Sequence, residues 1–506
     1  MPHSRTGSTG RWVLAASVLG SSLTFIDGSV VSVALPVLQR EFHASVSSAQ
    51  WIVEAYQLFL SSLVLLGGSL ADLYGRRRIF VTGTVVFAAA SLACGFAPGV
   101  ASLIAARALQ GIGGALLVPA SLAVLGAAFS ERTRGRAVGA WSALTSAAMA
   151  IGPALGGWLV QAITWRAVFL INLPIAAAVV WIALRKVPES HNPGAGGLDL
   201  PGAVLATFGF GALIFGLIEA PDAGWAAARA WAPVAAGVVA LAVFVPVERR
   251  VKHPMVPLGL FRNRTFFAAN LLTLFLYATL AATFFFLPFW LIQSQGYTPA
   301  AAGASILPVV VTVALISRFS GKLADRVGAW IPLTAGPLLA AAGFLLFAIL
   351  PGGGSYAVSV LPAMVVLGLG LGTTVAPLTA TVLNCVDRSN QGAASGINNA
   401  VARVAGLLAI AVLGIFVTGV FNRNLDRRLD ASHVSAETRR RLEPQRNQLG
   451  AMKPPDGTPP EEARAVEGAV ADSLDRAFRA QSFGCAALAV LSAATGAFGI
   501  GRKRSR

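Results

Sequence analysis

Long apolar runs recur along nearly the whole chain, and most of them are roughly 18 to 24 residues long. A helix that rises about 1.5 Å per residue crosses a hydrocarbon core of about 30 Å within such a run. In lipid every backbone N–H and C=O group must be bonded within the segment, so each run is predicted to be a spanning helix. The chain is 55% hydrophobic and only 12% charged, which leaves too few polar residues to cover a soluble globule. The predicted fold class is therefore an all-α polytopic membrane protein.

The positions of the lysines and arginines orient the predicted helices. Hydropathy gives about fourteen spans. They are expected near 12–35, 50–71, 79–97, 101–125, 138–160, 167–184, 200–218, 230–247, 267–292, 301–319, 331–350, 358–381, 397–421 and 482–500. An even number of spans with a cytoplasmic start places both termini in the cytoplasm, and the basic loops at 72–78, 130–137, 185–199, 248–265 and 321–330 then fall on that side. This pattern predicts a multi-pass protein of the plasma membrane.

One long polar segment departs from the pattern of basic loops. The segment 422–481 is basic, yet it falls on the outer side of the predicted topology. Long loops translocate largely regardless of charge, so this loop does not overturn the topology. It contains the turn sequence Lys-Pro-Pro-Asp-Gly at 453–457, which predicts two short polar helices around a turn. A solvated hairpin is expected, and a ligand-binding element is the alternative.

Charge and cysteine content exclude several other functions. The net charge of +17 arises largely from the basic loops, so nucleic-acid binding is not expected. The three cysteines are an odd number, and each lies in or beside an apolar run. Neither a disulfide framework nor a zinc site is therefore expected. A membrane enzyme would need a convergent catalytic or metal cluster, and the histidines are not paired at ligand spacing. An ATP-driven pump is disfavoured because the chain lacks a phosphate-binding loop of the Gly-x-x-x-x-Gly-Lys-Ser/Thr type.

An internal repeat organises the chain. The sequence Gly-Ser-Leu-Ala-Asp-Leu-Tyr-Gly at 68–75 recurs as Gly-Lys-Leu-Ala-Asp-Arg-Val-Gly at 321–328, and both copies follow an apolar run. The copies follow the second and the tenth predicted spans, whereas two halves of six spans would place them six apart. The repeat therefore predicts that two additional helices are inserted between two related halves. The predicted domains are an N-terminal six-helix bundle at 1–184, two inserted helices with a cytoplasmic linker at 185–265, and a C-terminal six-helix bundle at 266–506 that includes the outer loop.

This pattern resembles the major facilitator superfamily, specifically its fourteen-span drug:proton antiporter branch, and the resemblance covers essentially all of the chain. It implies two six-helix bundles around a central cavity, plus two extra helices, with alternating access by rocking of the halves. It also implies the export of a hydrophobic or cationic small molecule in exchange for protons, without a cofactor. An exporter of one endogenous metabolite or lipid is the nearest alternative. The expected partners are the substrate, protons and the lipid bilayer, and a monomer is expected to be functional.

The repeated loop matches the best-known signature of the superfamily. Gly68 and Asp72 are four residues apart and share one helix face, where a small residue allows close helix approach. Asp72 is expected to lie near a helix N-terminus and near Arg76 or Arg77, in a contact that breaks when the halves move. The loop is therefore interpreted as a conformational latch. Its residues are Gly68, Asp72, Gly75, Arg76 and Arg77 in the first copy and Gly321, Asp325 and Gly328 in the second.

Three ionisable residues within apolar runs are the candidates for proton coupling. Asp27 stands inside the first predicted span and Glu54 near the outer end of the second, where an ionised carboxylate is costly and a protonated one much less so. Arg107 precedes a Gln-Gly pair in the fourth span and matches a superfamily motif, which implies a part in proton coupling. The alternative for Arg107 is a structural arginine, and for either carboxyl an interfacial or hydrogen-bonded structural group.

The direction of transport is inferred from a motif in the fifth predicted span. Gly152, Pro153, Gly156 and Gly157 match the pattern associated with antiporters, and hence with export. Proline removes a backbone donor and bends the helix, while the glycines permit tight packing. The family has one more glycine where this chain has Ala148.

The substrate cavity is predicted from polar and aromatic residues within the spans. Aromatic rings in the ninth span can line a pocket for flat, apolar or cationic compounds, or they can face lipid. Polar residues in the thirteenth span are expected to face the cavity, for substrate contact or for helix-to-helix bonding. The predicted cavity residues are Gln110, Tyr277, Phe285, Phe289, Trp290, Asn398, Asn399 and Arg403.

Overall fold

The computed structural model describes residues 8–191, 197–350, 352–387 and 390–501, and every regular element in those ranges is helical. This confirms the predicted all-α class. The helices are α1 (Ser8–Glu41), α2 (Val46–Tyr74), α3 (Arg76–Gly95), α4 (Val100–Ala128), α5 (Glu131–Ala162), α6 (Ala167–Leu170), α7 (Asn172–Lys186), α8 (Leu200–Ala223), α9 (Ala228–Arg250), α10 (Arg264–Phe289), α11 (Pro299–Ala304), α12 (Leu307–Val327), α13 (Trp330–Ile349), α14 (Tyr356–Ser359), α15 (Leu361–Asn384), α16 (Gln391–Ala431), α17 (Ala436–Leu442) and α18 (Pro460–Gly499).

Within the described residues, 14 helical segments are long and apolar enough to cross a membrane. Three of these segments consist of two adjoining pieces: α6 with α7, α11 with α12, and α10 with a π-helical turn at Trp290–Ser294. The predicted number of spans is thereby confirmed.

The polar segment 422–481 differs from the prediction. Helix α16 continues to Ala431 and α18 begins at Pro460, so the last two spans extend well into the expected loop. The two extensions pair with each other, since Arg428 Nη2 lies 2.9 Å from Asp472 Oδ2. Of the two short polar helices predicted around the turn at 453–457, α17 is present before the turn, whereas the helix after the turn is the beginning of α18. The extensions of α16 and α18 stay helical because apolar side chains such as Leu425, Leu429 and Leu474 are buried along them.

The first of two compact units comprises Met1–Val37, Trp51–Ala212 and Ala236–Met255. Helix α3 packs along α4 in this unit, and glycines make the approach possible. A Cβ on Gly113 would lie 2.6 Å from the backbone nitrogen of Phe87. Large apolar side chains of α2, α3 and α4 fill the interior around this contact.

The second unit comprises Leu38–Gln50, Leu213–Ala235 and Val256–Arg506. Helix α13 packs against both α15 and α18, and α10 packs against α16 and α18. Close approach again depends on glycine, because a Cβ on Gly370 would lie 2.5 Å from the backbone nitrogen of Ala340. The predicted division at residues 184 and 265 stays a prediction.

Candidate functional site

A fully buried ion pair lies in the interior of the first unit. Arg107 of α4 donates from Nη1 to Asp27 Oδ2 of α1, and the two side chains are 1% and 0% exposed. The other carboxylate oxygen, Oδ1, accepts from Gln110 Nε2 at 2.8 Å and from Asn172 Nδ2 at 3.1 Å. The Asp27 charge is therefore compensated by one cation and two amides, which is what a buried carboxylate requires.

Further contacts fix the orientation of the arginine. Arg107 Nη1 also donates to Gln110 Oε1 at 2.6 Å, and Nε donates to the carbonyl of Ile52 on α2 at 3.0 Å. The guanidinium carbon lies 4.2 Å from the centre of the Tyr56 ring, a cation–π distance. Gln110 was predicted to line the substrate cavity, and the structure places it inside this network. Its contact with substrate stays a prediction.

Two side chains of the network, those of Ser91 and Asn172, were not predicted to be site residues. Ser91 of α3 accepts from Gln110 Nε2 at 2.8 Å and from Asn172 Nδ2 at 3.3 Å. Both Ser91 and Asn172 are polar residues within apolar helices, and that was the available signal. The sequence could not indicate that side chains of α3, α4 and α7 gather around the Asp27 carboxylate of α1.

Glu54 is buried in a different manner. Its side chain is on α2 and 0% exposed, and neither carboxyl oxygen has a hydrogen-bond partner among the described residues. It follows Ile52, the residue whose carbonyl receives Arg107, by two positions. Asp27 is thus a buried carboxyl with full compensation, whereas Glu54 is a buried carboxyl without a hydrogen-bond partner among the described residues.

The glycines of the predicted antiporter motif pack against α1 close to Asp27. A Cβ on Gly152 would overlap the hydroxyl oxygen of Ser29 and lie 3.0 Å from Ser29 Cβ. A Cβ on Gly156 would lie 2.7 Å from the carbonyl oxygen of Val30. Pro153 lies inside α5 between these contacts, and Gly157 is also buried. The structure thus brings the motif and the candidate carboxyl together.

The first copy of the latch motif forms a compact cluster of charges. Arg76, the first residue of α3, pairs at 2.8 Å with Asp72 near the end of α2. Arg77 is directed elsewhere: its backbone N–H and that of Arg78 donate to the carboxylate of Glu189, at 3.0 and 3.1 Å. Gly75 has φ 108, a conformation that favours glycine, and a Cβ there would lie 3.0 Å from the Glu189 carboxylate. Glu189 was not predicted as a latch residue.

The close helix approach predicted at Gly68 occurs one residue earlier. A Cβ on Gly67 would overlap the carbonyl oxygen of Ala115 on α4, whereas one on Gly68 would meet Pro119 Cβ at an ordinary 3.5 Å. One position along a helix turns the side chain by about 100°, so sequence spacing alone could not separate these adjacent glycines.

The second copy of the motif repeats the backbone but not the charge cluster. Gly328 has φ 86, which matches the left-handed conformation of Gly75 at the same place in the repeat. Asp325 is exposed, and a Cβ on Gly321 would meet no atom within 4 Å. A latch function of this copy stays a prediction.

The predicted aromatic cavity residues lie in the interior of the second unit. Phe285 and Phe289 are each 2% exposed and their ring centres are 5.5 Å apart. Trp290 is 3% exposed and stacks on Phe478 at 4.6 Å with an angle of 8° between the planes. Tyr277 is partly buried. Phe285 thus packs against Phe289, and Trp290 against Phe478, while the contact of these predicted residues with substrate stays a prediction.

The predicted polar cavity residues on α16 have different surroundings. Asn398 Nδ2 donates to Asn270 Oδ1 at 3.1 Å and to Thr273 Oγ1 at 2.7 Å, and so links α16 to α10. Asn399 is exposed and donates to a carbonyl of its own helix. Arg403 is partly buried. For Asn398 the helix-to-helix bond, one of the two expected roles, is present.

A family model and several known proteins match this chain over most of its length. The family described as the Major Facilitator Superfamily matches residues 17–410. The multidrug resistance protein Stp of Mycobacterium tuberculosis is 36% identical over 441 residues, which cover 84% of this chain and 80% of that protein. A tetracenomycin C resistance and export protein of Streptomyces glaucescens is 33% identical over 415 residues, which cover 81% of this chain and 77% of that protein. The cephamycin export protein CmcT of Amycolatopsis lactamdurans is 36% identical, with 82% and 87% covered.

Solved structures share the fold at lower identity. An inward-facing bacterial homologue of the human lysosomal transporter Spinster superposes with a TM-score of 0.66 at 17% identity, covering 97% of this chain and 98% of that chain. The POT family transporter PepTSo superposes with a TM-score of 0.63 at 14% identity.

Proposed function

Because this chain belongs to the major facilitator superfamily, we propose that it exports hydrophobic or cationic small molecules across the cytoplasmic membrane in exchange for protons. The family is one of transporters, and relatives at about a third identity are named for resistance to antibiotics or for their export. The parts of the function that we propose here are the coupling to protons and the class of substrate.

The buried pair of Asp27 and Arg107 carries the proposal. Protonation of Asp27 would remove the counter-charge of an arginine that is 1% exposed. An arginine left buried without a partner is strongly unfavourable, so proton uptake at Asp27 favours a rearrangement that gives Arg107 another partner or water. A ligand that favours one arrangement of a two-state protein shifts its population, and the proton is the ligand in this case.

Glu54 supplies a second proton position in the proposal. A carboxylate ion with neither a hydrogen-bond donor nor a cation nearby is far more costly in the interior than the neutral acid. Because both Glu54 oxygens are buried without a partner among the described residues, we assign the proton to Glu54 in this conformation. Release of that proton needs water or a donor, and a conformational change could provide either.

The proposal includes an orientation and a working unit. Both termini are assigned to the cytoplasm, which puts the basic latch segment around Arg76 on the inner side. The motif pair of Asp72 and Arg76 is assigned to the conformational latch, and a single chain to the transport unit.

The test uses purified protein in liposomes with an imposed pH gradient and a panel of chemically diverse apolar and cationic compounds. We expect accumulation of several compounds against their gradients, abolished by a protonophore and unaffected by the absence of nucleotide. Accumulation that persists after the pH gradient is collapsed would contradict proton coupling.

Dedicated export of one compound is the second candidate. It is favoured by relatives whose names specify a single compound, such as the tetracenomycin C and cephamycin exporters. The same panel distinguishes the two, since a dedicated exporter would accumulate one chemical scaffold and leave the other cationic and apolar compounds at equilibrium.

A further inference from the structure

We propose that Ser29 and Gly152 form a positioning contact that sets the place of Asp27 relative to Arg107, and so determines how tightly transport is coupled to protons. The inference rests on the proposed proton exchange at Asp27. It assigns a role to Ser29 and gives the α5 glycines a defined partner on α1.

Helix α1 is held on two sides at the level of Asp27. Asp27 is bonded to side chains of α4 and α7 on one side. Ser29 follows two residues later, roughly 200° around the helix, and faces the backbone of α5. A displacement of α1 by α5 is therefore transmitted directly to the carboxylate and its partners.

The contact has no free space. A Cβ on Gly152 would overlap Ser29 Oγ and would also lie 3.4 Å from the carbonyl oxygen of Ile26. Ser29 Oγ donates to carbonyl oxygens of its own helix, at 3.1 Å to Phe25 and 3.0 Å to Ile26. Rotation of the hydroxyl away from α5 would therefore alter its bonds to α1. One turn later Gly156 meets the backbone of Val30 in the same manner, so the two helices approach over a full turn.

A second contact of α5 with α1 lies on the other side of Asp27. Trp141 Nε1 donates to Ser21 Oγ at 3.2 Å, and that hydroxyl is 2.6 Å from Ser121 Oγ of α4. Contacts of α5 with α1 therefore flank Asp27 before and after it in the sequence. The position of Asp27 between them follows from how α5 packs on α1.

Three variants test the contact. Gly152→Ala should displace α1, and Ser29→Ala should remove only the hydroxyl. The double variant should restore part of the fit, because the overlap with the oxygen is gone although the new methyl group still meets a carbon at a tight 3.0 Å. Gly139→Ala is the matched control, since it lies on the same helix and a Cβ there meets nothing within 4 Å. Each protein is reconstituted, and its folded amount is measured by size-exclusion chromatography.

We expect Gly152→Ala to lose accumulation driven by a pH gradient by about tenfold per folded protein, with its downhill exchange within about threefold of the wild type and its pH–rate profile shifted. Gly139→Ala should accumulate substrate as the wild type does. Ser29→Ala should lose part of the coupling, because it loosens the contact without crowding it, and the double variant should recover part of the Gly152→Ala loss. A merely structural contact would lower both transport modes equally and leave the pH profile in place.

Full coupling in Gly152→Ala, or a double variant as impaired as Gly152→Ala, overturns the positioning role. If Gly152→Ala is not recovered in folded form, Ser29→Leu displaces α1 from the other side of the contact, and full coupling in that variant overturns the role as well. A wild-type protein that does not respond to a pH gradient overturns the proposed function instead, and the wild-type measurement keeps the two failures apart.

Discussion

The carboxylate of Glu189 accepts the backbone N–H of Arg77 at 3.0 Å, although the two residues are 112 positions apart. The same carboxylate accepts from Arg78, and the carbonyl of Ser190 accepts from Arg76 at 2.8 Å. The N-terminal N–H groups of α3 are therefore capped by the segment that follows α7. Gly75 immediately before α3 has no side chain for this purpose, and an anion at a helix N-terminus is favourable.

Glu189→Ala is expected to lower the free energy of unfolding by about 1 kcal/mol, the usual effect of a lost helix cap. Asp should restore part of the loss because it keeps the negative charge, and Gln less because it can accept only through one oxygen. Thermal unfolding in detergent measures the order of the three variants. Equal stability of the Ala and wild-type proteins would show that Glu189 does not cap α3.

Asp27→Asn is expected to abolish uphill export driven by a pH gradient. Because it leaves Arg107 buried without a counter-charge, it should also cost about 3–5 kcal/mol of stability. The double variant Asp27→Asn/Arg107→Gln should lose less stability than the single variant, since it removes the uncompensated charge. Export by Asp27→Asn vesicles against a gradient, with only a pH difference supplied, would refute the role of Asp27.

Glu54→Gln separates the second carboxyl from the first. The amide is close in shape to the neutral acid and breaks no hydrogen bond present among the described residues, so stability should change by less than about 1 kcal/mol. Uphill export should nevertheless fall sharply if this group carries a proton. Retained uphill export at wild-type level would restrict proton exchange to Asp27, and a large loss of stability would contradict the neutral state assigned to Glu54.

The proposed orientation can be tested by cysteine accessibility in intact cells. Cys94 and Cys485 are buried, so a Cys385→Ser background leaves little native labelling. In that background Glu461→Cys should react with a membrane-impermeant reagent and Lys252→Cys should not, since the first lies in the segment assigned to the outside. Both positions are exposed in the structure, so burial cannot mimic protection. The reverse labelling pattern would invert the topology.

The spanning helices could be predicted from the sequence because the forces that form them are local. Lipid requires each backbone group to bond within its own segment, so an apolar run of sufficient length becomes a helix regardless of its neighbours. The same reasoning failed for the polar ends of α16 and α18. They remain helical because apolar side chains at helical spacing, such as Leu425 and Leu429, are buried along them, and these residues are too sparse for a hydropathy window to detect.

The sequence by itself also determined that Arg107 and Asp27 require compensation, since a charge within an apolar run needs a partner. Only the tertiary structure decided that they compensate each other, together with Gln110 and Asn172, and that Glu54 receives no such partner from the part of the chain that the structure describes. The physical reason is the distance along the sequence over which each property is decided. Burial of a charge follows from its immediate sequence, whereas its partners stand 80 to 145 residues away and are chosen by the packing of separate helices.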